Sequence, residues 1–356
     1  MRVVIRALSA LLPCLVLCGT AMAASQLDIY FIDVEGGQST LLVTPDRQSL
    51  LIDTGWAAGG QPGDTPGDPR RARDANRIVA AARDAGIAQI DYLLITHFHP
   101  DHDGGVAELS ALMPIRNFVD HGTLPAAAVA DHEMRAAYEV YRAIRDRSPS
   151  IEPRPGDVLP LKGVEAVVVA SAAATITQPL PGAGQTNPVC GHSAVPPRDV
   201  IENPRSTGVV VRYGRFRFLD VGDLTGQPLF DLACPRSLIG PVDVYLVAHH
   251  GGADAADPAT FAAFAPRVAI MNNGLQKGGA RQTYETLHHL AGLADVWQLQ
   301  RSEPAGEQNF PARQIANLDE STAHWIRLTA QADGAFRVFN ARTGEWRSYP
   351  ARAAAK

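Results

Sequence analysis

Cysteine is scarce in this chain, with four among 356 residues, and no two of them stand in the Cys-x-x-Cys spacing of a zinc ribbon, a thiol redox site or a zinc deaminase. The sequence also lacks Gly-x-Ser-x-Gly and His-Glu-x-x-His, which removes the serine nucleophile elbow and the helix-borne zinc protease motif. No basic stripe runs along it. The clusters Arg70-Arg71-Ala72-Arg73 and Arg212 to Arg217 are small, and the second alternates along an expected strand. A protein that holds a long phosphate backbone generally carries such a stripe. There is no internal repeat and no low-complexity segment.

Long apolar runs are missing too, except at the start. Arg2 and Arg6 precede an apolar run from Ala7 to Leu17, and Ala21-Met22-Ala23 follows as a small-x-small cleavage signature. This pattern predicts a secretory signal peptide over residues 1–23, cleaved after Ala23. The run is shorter than the roughly 18–20 residues needed to span a bilayer, and Leu17 before Cys18 is a poor lipoprotein context. The expectation is a periplasmic or secreted protein with no membrane span in its mature form. Removing Arg2 and Arg6 leaves 30 basic against 37 acidic residues, a formal charge of −7, which argues against non-specific binding of long nucleic acid. Cys190 and Cys234 remain, in a compartment that permits disulfides. Both a bridge and two free thiols stay open.

The remaining length favours one domain, expected over residues 24–350, with long loops near 57–75 and 172–205. Leu27 to Val34, Ser39 to Thr44 and Ser49 to Asp53 are short β-rich runs separated by Gly-Gly and Pro-Asp punctuation, the signal of a meander. Asn76 to Ala85 has helical periodicity, and Ile90 to Ile95 reads as a strand. Ala130 to Arg147 predicts a second long helix with Met134, Tyr138 and Tyr141 on its apolar face. Val158 to Ala170 holds two strand candidates. Gly208 to Tyr213 and Arg215 to Leu219 form a hairpin about Gly214, and Val242 to Val247 is a further strand. The segment Thr175 to Pro204 is dense in Pro, Gly, Asn and Ser and too long for an ordinary connection, so it is expected to fold over a cleft mouth. Strands that alternate with helices imply a layered α/β fold.

The chemistry concentrates in Leu94-Ile-Thr-His97-Phe-His99-Pro-Asp101-His102-Asp-Gly-Gly105, four potential metal ligands within six residues directly after an apolar strand. In extended backbone His97 and His99 point the same way and can grip one ion. Asp101 and His102 lie where the chain turns and can face a second. Imidazole with carboxylate suits zinc first, with manganese or iron as alternatives. Two ions about 3.5–4 Å apart polarise a substrate oxygen and generate hydroxide at neutral pH.

This motif resembles the hallmark of the metallo-β-lactamase superfamily, His-x-His-x-Asp-His at the end of a strand. Three further segments are similar to family motifs in the same order: Leu51-Ile-Asp53-Thr-Gly55, Leu219-Asp-Val-Gly222-Asp223 and Ala248-His249-His250-Gly251-Gly252. Phe31-Ile-Asp33-Val-Glu-Gly-Gly37-Gln38, taken with His-His-Gly, is most similar to the soluble hydrolase domain of the DNA-uptake channel protein ComEC. The channel part has no counterpart in this sequence.

The resemblance implies a four-layer αββα sandwich and an exported hydrolase that uses two divalent ions, zinc or manganese, and a hydroxide bridging them. Its implied ligands are His97, His99, Asp101, His102, Asp223 as the bridge, and His249 as the last donor to the second ion. Asp101 would also relay the proton of the attacking water. Asp53 would order a ligand loop, and His250 would contact substrate or another ligand. Many family members place a third histidine for the first ion where this chain has Glu202-Asn203-Pro-Arg-Ser206. Asn203 and Ser206 resemble the Asn and Ser of ComEC-like members, which would leave the first ion on His97, His99, Asp223 and water. His121, after the strand Ile115 to Val119, and His192 in the long loop are alternative donors or substrate contacts, the other reading being histidines satisfied within their loops. The implied substrate is a phosphodiester, a nucleotide or nucleic acid. Hydrolysis of lactam or lactone rings and a non-catalytic binding module are the competing readings, and fold alone does not choose between them.

Overall fold

The computed structural model describes residues 25–59, 65, 68–191 and 199–353. The expected signal peptide and His192 lie outside the described residues.

Alternation along the strands builds the layers. In the first strand, β1 (Leu27–Phe31), Leu27, Ile29 and Phe31 enter one core while Tyr30 enters another. Every residue of β1 is buried, as is every residue of β2 (Thr40–Val43) and β3 (Ser49–Ile52), so these strands are covered on both faces. Helix α1 (Arg73–Asp84) begins three residues ahead of the expected Asn76, its first turn held by Asp74, whose carboxylate accepts the backbone N–H of Trp56 at 2.9 Å. Strand β4 (Ile90–Leu94) leads to the histidine motif and then to α2 (Pro100–Asp103), a single helical turn with proline at its start. Helix α3 (Val106–Leu112), β5 (Ile115–Val119), α4 (His132–Arg145) and the short β6 (Ser150–Ile151) complete the first half.

The second half runs through β7 (Val158–Leu159), β8 (Glu165–Ser171), β9 (Ala174–Thr175), β10 (Gly208–Tyr213), β11 (Phe216–Asp220), α5 (Gly226–Ala233), β12 (Val244–Leu246), α6 (Pro258–Phe264), β13 (Val268–Met271), α7 (Arg281–His288), β14 (Asp295–Gln300) and β15 (Ile315–Asn317). Strands β16 (Ile326–Ala330), β17 (Phe336–Asn340) and β18 (Glu345–Tyr349) then return to the first sheet, pairing β16 with β1. The two sheets run β18-β17-β16-β1-β2-β3-β4-β5-β6 and β15-β14-β13-β12-β11-β10-β8-β7, with β9 on β8. Strands β3 to β6 are parallel, and so are β11 to β15.

Three apolar clusters separate four layers. The central one joins the inner faces of both sheets through residues such as Phe31, Leu94, Val211 and Phe218. A second seats α5, α6 and α7 on the outer face of one sheet, and the third seats α1, α3 and α4 on the other. The fold is therefore the αββα sandwich with two large sheets. Cys190 and Cys234 are joined in a disulfide that ties the long loop to the end of α5. The parallel strands β4, β11, β12 and β13 end on one rim, where loops carrying polar side chains meet, the position at which open α/β sheets place their sites.

Candidate metal centre

After β4 the chain runs Ile95-Thr96-His97-Phe98-His99, and Thr96 fixes its course. Asp53, at the end of β3 and in the left-handed backbone region at φ 61°, accepts the Thr96 backbone N–H and hydroxyl, both at 2.7 Å. The same carboxylate meets Nδ1 of His102 at 2.7 Å. An acceptor there places the proton on Nδ1 and leaves Nε2 facing outward as a ligand, the usual carboxylate brace of a metal-binding histidine. Burial pushes the Asp53 carboxyl up, against the opposing pull of His102. From the other side Gly37 backs the motif: a Cβ there would lie 2.4 Å from the carbonyl oxygen of Asp101, so only glycine admits this approach. Gln38 beside it donates to Asp220 at 3.1 Å and takes the Asn272 amide at 3.1 Å, linking the first sheet to the second.

Asp223 follows β11 and faces four imidazoles with one oxygen. From its Oδ2, Nε2 of His250 lies at 3.2 Å, His102 at 3.3 Å, His249 at 3.7 Å and His97 at 3.9 Å. Its carboxyl caps no helix; the residue at the start of α5 is Thr225. Asp101 Oδ2 lies 3.3 Å from His102 Nε2 and 3.2 Å from His250 Nε2, and the two imidazole nitrogens are 3.3 Å apart. Donors on a tetrahedral ion with bonds near 2.1 Å stand about 3.4 Å apart. Asp101, His102, Asp223 and His250, all buried, therefore fit a divalent cation, and their ligand atoms all lie within 4.8 Å of one another. Burial opposes charge on both acids. Even so, Lys277 and His102 hold the Asp101 carboxyl well below the usual range, and His250, His102 and His249 do the same for Asp223. Burial also opposes a proton on His102, yet Asp223, Asp101 and Asp53 push its pKa well up.

A second group lies beside it. Nε2 of His97 is 2.8 Å from Nδ1 of His99, and burial, with His102 and His99 nearby, keeps His97 neutral by holding its pKa well down. His99 Nε2 stands 3.6 Å from Asp199. His249 Nε2 is 3.4 Å from the Asn203 side-chain nitrogen, and its Nδ1 is braced by Asp254 at 2.7 Å.

The structure distinguishes His250 from the expected donor His249. His250, not His249, joins Asp101, His102 and Asp223. Both residues adopt left-handed backbone, φ 50° and 51°, so the strand's alternation stops at β12 and His250 turns inward while His249 turns toward Asn203. His121 is engaged away from this cluster. Its Nε2 meets Glu202 Oε2 at 3.1 Å and its ring lies against Phe98, behind the histidine pair. Glu202 also accepts the Phe98 backbone N–H at 2.7 Å and so holds the strand end from beneath. Asn203 does line the cleft, buried, with its side-chain oxygen unpartnered.

Sequence reasoning missed Lys277, Asp199 and Asp254. Lys277 contacts Asp101 Oδ2 and lies 4.8 Å from the centre of the Trp56 ring. Its place in a Gly-flanked loop after a parallel strand was the available signal. Asp101, Asp223 and His250 line an open cleft of about 700 Å³ whose walls include Trp56, Asn203 and Lys277.

The family model for the metallo-beta-lactamase superfamily matches residues 33–185. That match, to less than half of the chain, makes residues 33–185 similar to this superfamily. That superfamily binds metal ions, in keeping with the Asp/His cluster. The lactamase-like protein aptB of Emericella nidulans is 37% identical over 78 residues, which cover 22% of this chain and 21% of that protein, so only about a fifth of the relative's length is matched. Among solved structures, the Cronobacter sakazakii metallo-beta-lactamase with the HARLDQ motif is 18% identical, covering 61% of this chain and 73% of that one, with a TM-score of 0.36. The metallo-beta-lactamase fold protein YhfI from Bacillus subtilis is 11% identical, covering 77% and 96%, with a TM-score of 0.45. No helix among the described residues is long and apolar enough to cross a membrane.

Proposed function

We propose that this protein is an exported hydrolase with two adjacent divalent-cation positions, acting on small phosphodiesters of the nucleotide type. The observation that carries the reading is Asp223 Oδ2, one carboxylate oxygen set between two groups of imidazoles at 3.2–3.9 Å. Asp101, His102, Asp223 and His250 would hold one ion, and His97, His99, His249 and the same Asp223 the other. Such ions, when bound, supply Lewis acidity and bring the pKa of a water toward about 7. The rest falls to the chain. Asp53 and Asp254 keep His102 and His249 in the tautomer that presents Nε2 to the cleft. Asp101, ionised and at the cleft floor, is placed to accept a proton from an attacking water.

Export is supported by the Cys190–Cys234 disulfide, which suits an oxidising compartment, together with the signal-like start of the sequence. The acidic balance of the chain favours small substrates over long nucleic acid. The phosphodiester reading rests on the resemblance of Gly37 and Gln38 to ComEC-like members; in this chain the two residues back Asp101 and bond Asp220. The test is a panel assayed with metal-reconstituted protein: bis-p-nitrophenyl phosphate, a dinucleotide, single-stranded DNA, a chromogenic cephalosporin and an acyl lactone. Turnover of the first two is expected. Turnover confined to the cephalosporin or the lactone would replace this reading with ring hydrolysis, and inactivity on all five with two ions bound would favour a binding module. Protein recovered from its native envelope should begin at Ala24, and an intact Met1 by mass spectrometry would overturn export.

A further inference from the structure

The walls of the cleft are acidic. Asp101, Glu133, Asp199 and Asp223 all line it, and among the described lining residues Lys277 alone carries a lysine or arginine charge. Two divalent ions would balance those four carboxylates, and the net charge left facing a substrate would be that of Lys277. Its position is fixed from several directions. The Lys277 carbonyl accepts the Gly274 N–H at 2.9 Å, and the Gly279 N–H meets the His250 carbonyl at 2.8 Å, so the loop is bonded to the ligand segment itself. The start of the side chain is seated on Gly36, where a Cβ would come within 2.8 Å of Lys277 Cβ. Its ammonium lies against the Trp56 ring and touches Asp101 Oδ2, while 40% of the side chain stays accessible from the cleft. A lysine held this way is a preset point charge beside the reacting position, and an ammonium with three donors suits a phosphate oxygen.

We propose that Lys277, backed by Trp56, is the residue that selects for a fixed negative charge next to the scissile bond, by binding a non-bridging oxygen of a phosphate group. This rests on the two-cation reading above and deepens it: neutral esters and amides gain nothing from Lys277, whereas phosphodiesters do.

The experiment uses the full mature chain loaded with zinc, as wild type, Lys277→Met and Lys277→Arg. Methionine keeps most of the stem and removes the charge; arginine keeps the charge. Binding of inorganic phosphate, measured by calorimetry, should weaken at least tenfold in Lys277→Met and by much less in Lys277→Arg. With bis-p-nitrophenyl phosphate the loss in Lys277→Met should fall mainly on KM, and the preference for this diester over neutral p-nitrophenyl acetate should drop at least tenfold. Unchanged phosphate binding, or equal losses on the charged and neutral substrates, would overturn the proposal. So would tighter uptake of the second ion by Lys277→Met with no change in phosphate affinity, since Lys277 would then act as a competitor for Asp101. Failure of the wild type to hold two ions would instead overturn the two-cation reading, and phosphate binding would still report on Lys277.

Discussion

The two groups of side chains that meet at Asp223 are built to different standards. In one half, Asp101, His102, Asp223 and His250 are each less than a tenth exposed, and five donor separations fall between 3.2 and 3.3 Å. In the other, separations spread from 2.8 to 3.9 Å, His249 and His99 open to the cleft, and an asparagine stands beside His249. For Asp101 and His102 the difference follows from what carries them. Asp101 and His102 sit on a helical turn bonded to Asp53 and Thr54, with the Thr54 N–H on the His102 carbonyl at 2.7 Å. His99 and His249 depend instead on the segment Asp199 to Asn203 and on Asp254, which come from loops. A site on rigid elements is preorganised, whereas one on loops tolerates variation in its donors.

Removing the shared element should have the largest effect. Asp223→Ala takes an oxygen from both halves at once, so elemental analysis should find both ions lost and turnover should fall by about three to four orders of magnitude; retention of both would dissolve the idea of a shared oxygen. Next in size is the contrast between neighbours. His250→Ala should lose one ion and about a hundredfold in its affinity, while His249→Ala should cost the tight half little, on the order of threefold. Equal losses in zinc titrations of the two variants would erase the distinction drawn here. Asp53→Asn should weaken the tight half by about ten- to a hundredfold through the orientation and basicity of His102, leaving the looser half unaltered. The smallest expected effect sharpens the comparison. Asn203→His should tighten zinc in the looser half by about tenfold and move its preference away from manganese, by adding a borderline-soft nitrogen. Competition titrations showing no gain would mean that Asn203 does not stand where a third histidine belongs.

Much of this was legible in the sequence, for identifiable reasons. Thr96 to His102 forms a local motif, so strand periodicity followed by a proline-started turn was enough to bring its imidazoles and carboxylate together. Asp223 was legible because an apolar strand ends just ahead of it. The exchange of His249 and His250 was not, since two successive left-handed residues cancel the alternation on which facing was inferred. The partner of His121 was not legible, because Glu202 lies some eighty residues away in the chain and only the fold brings them together. Lys277 reaches Asp101 by the same route, across the order of the sheets, which no local pattern encodes. The layered architecture followed from alternating strands and helices, but the return of β16 to β18 did not, because their residues carry strand propensity without any mark of which edge they complete.

That return constrains the order in which the protein can take shape. Strand β1 lies inside its sheet, with β2 on one side and β16 on the other, and Leu27 is paired with Ala330. Until β16 has emerged, β1 offers an open row of backbone donors and acceptors on an apolar strand, the kind of surface that recruits other chains. Closure of so distant a pair is also slow. The nascent polypeptide therefore cannot finish its first sheet until residues 326–349 have been made, and any helper that keeps it unfolded until then protects the edge most exposed to aggregation.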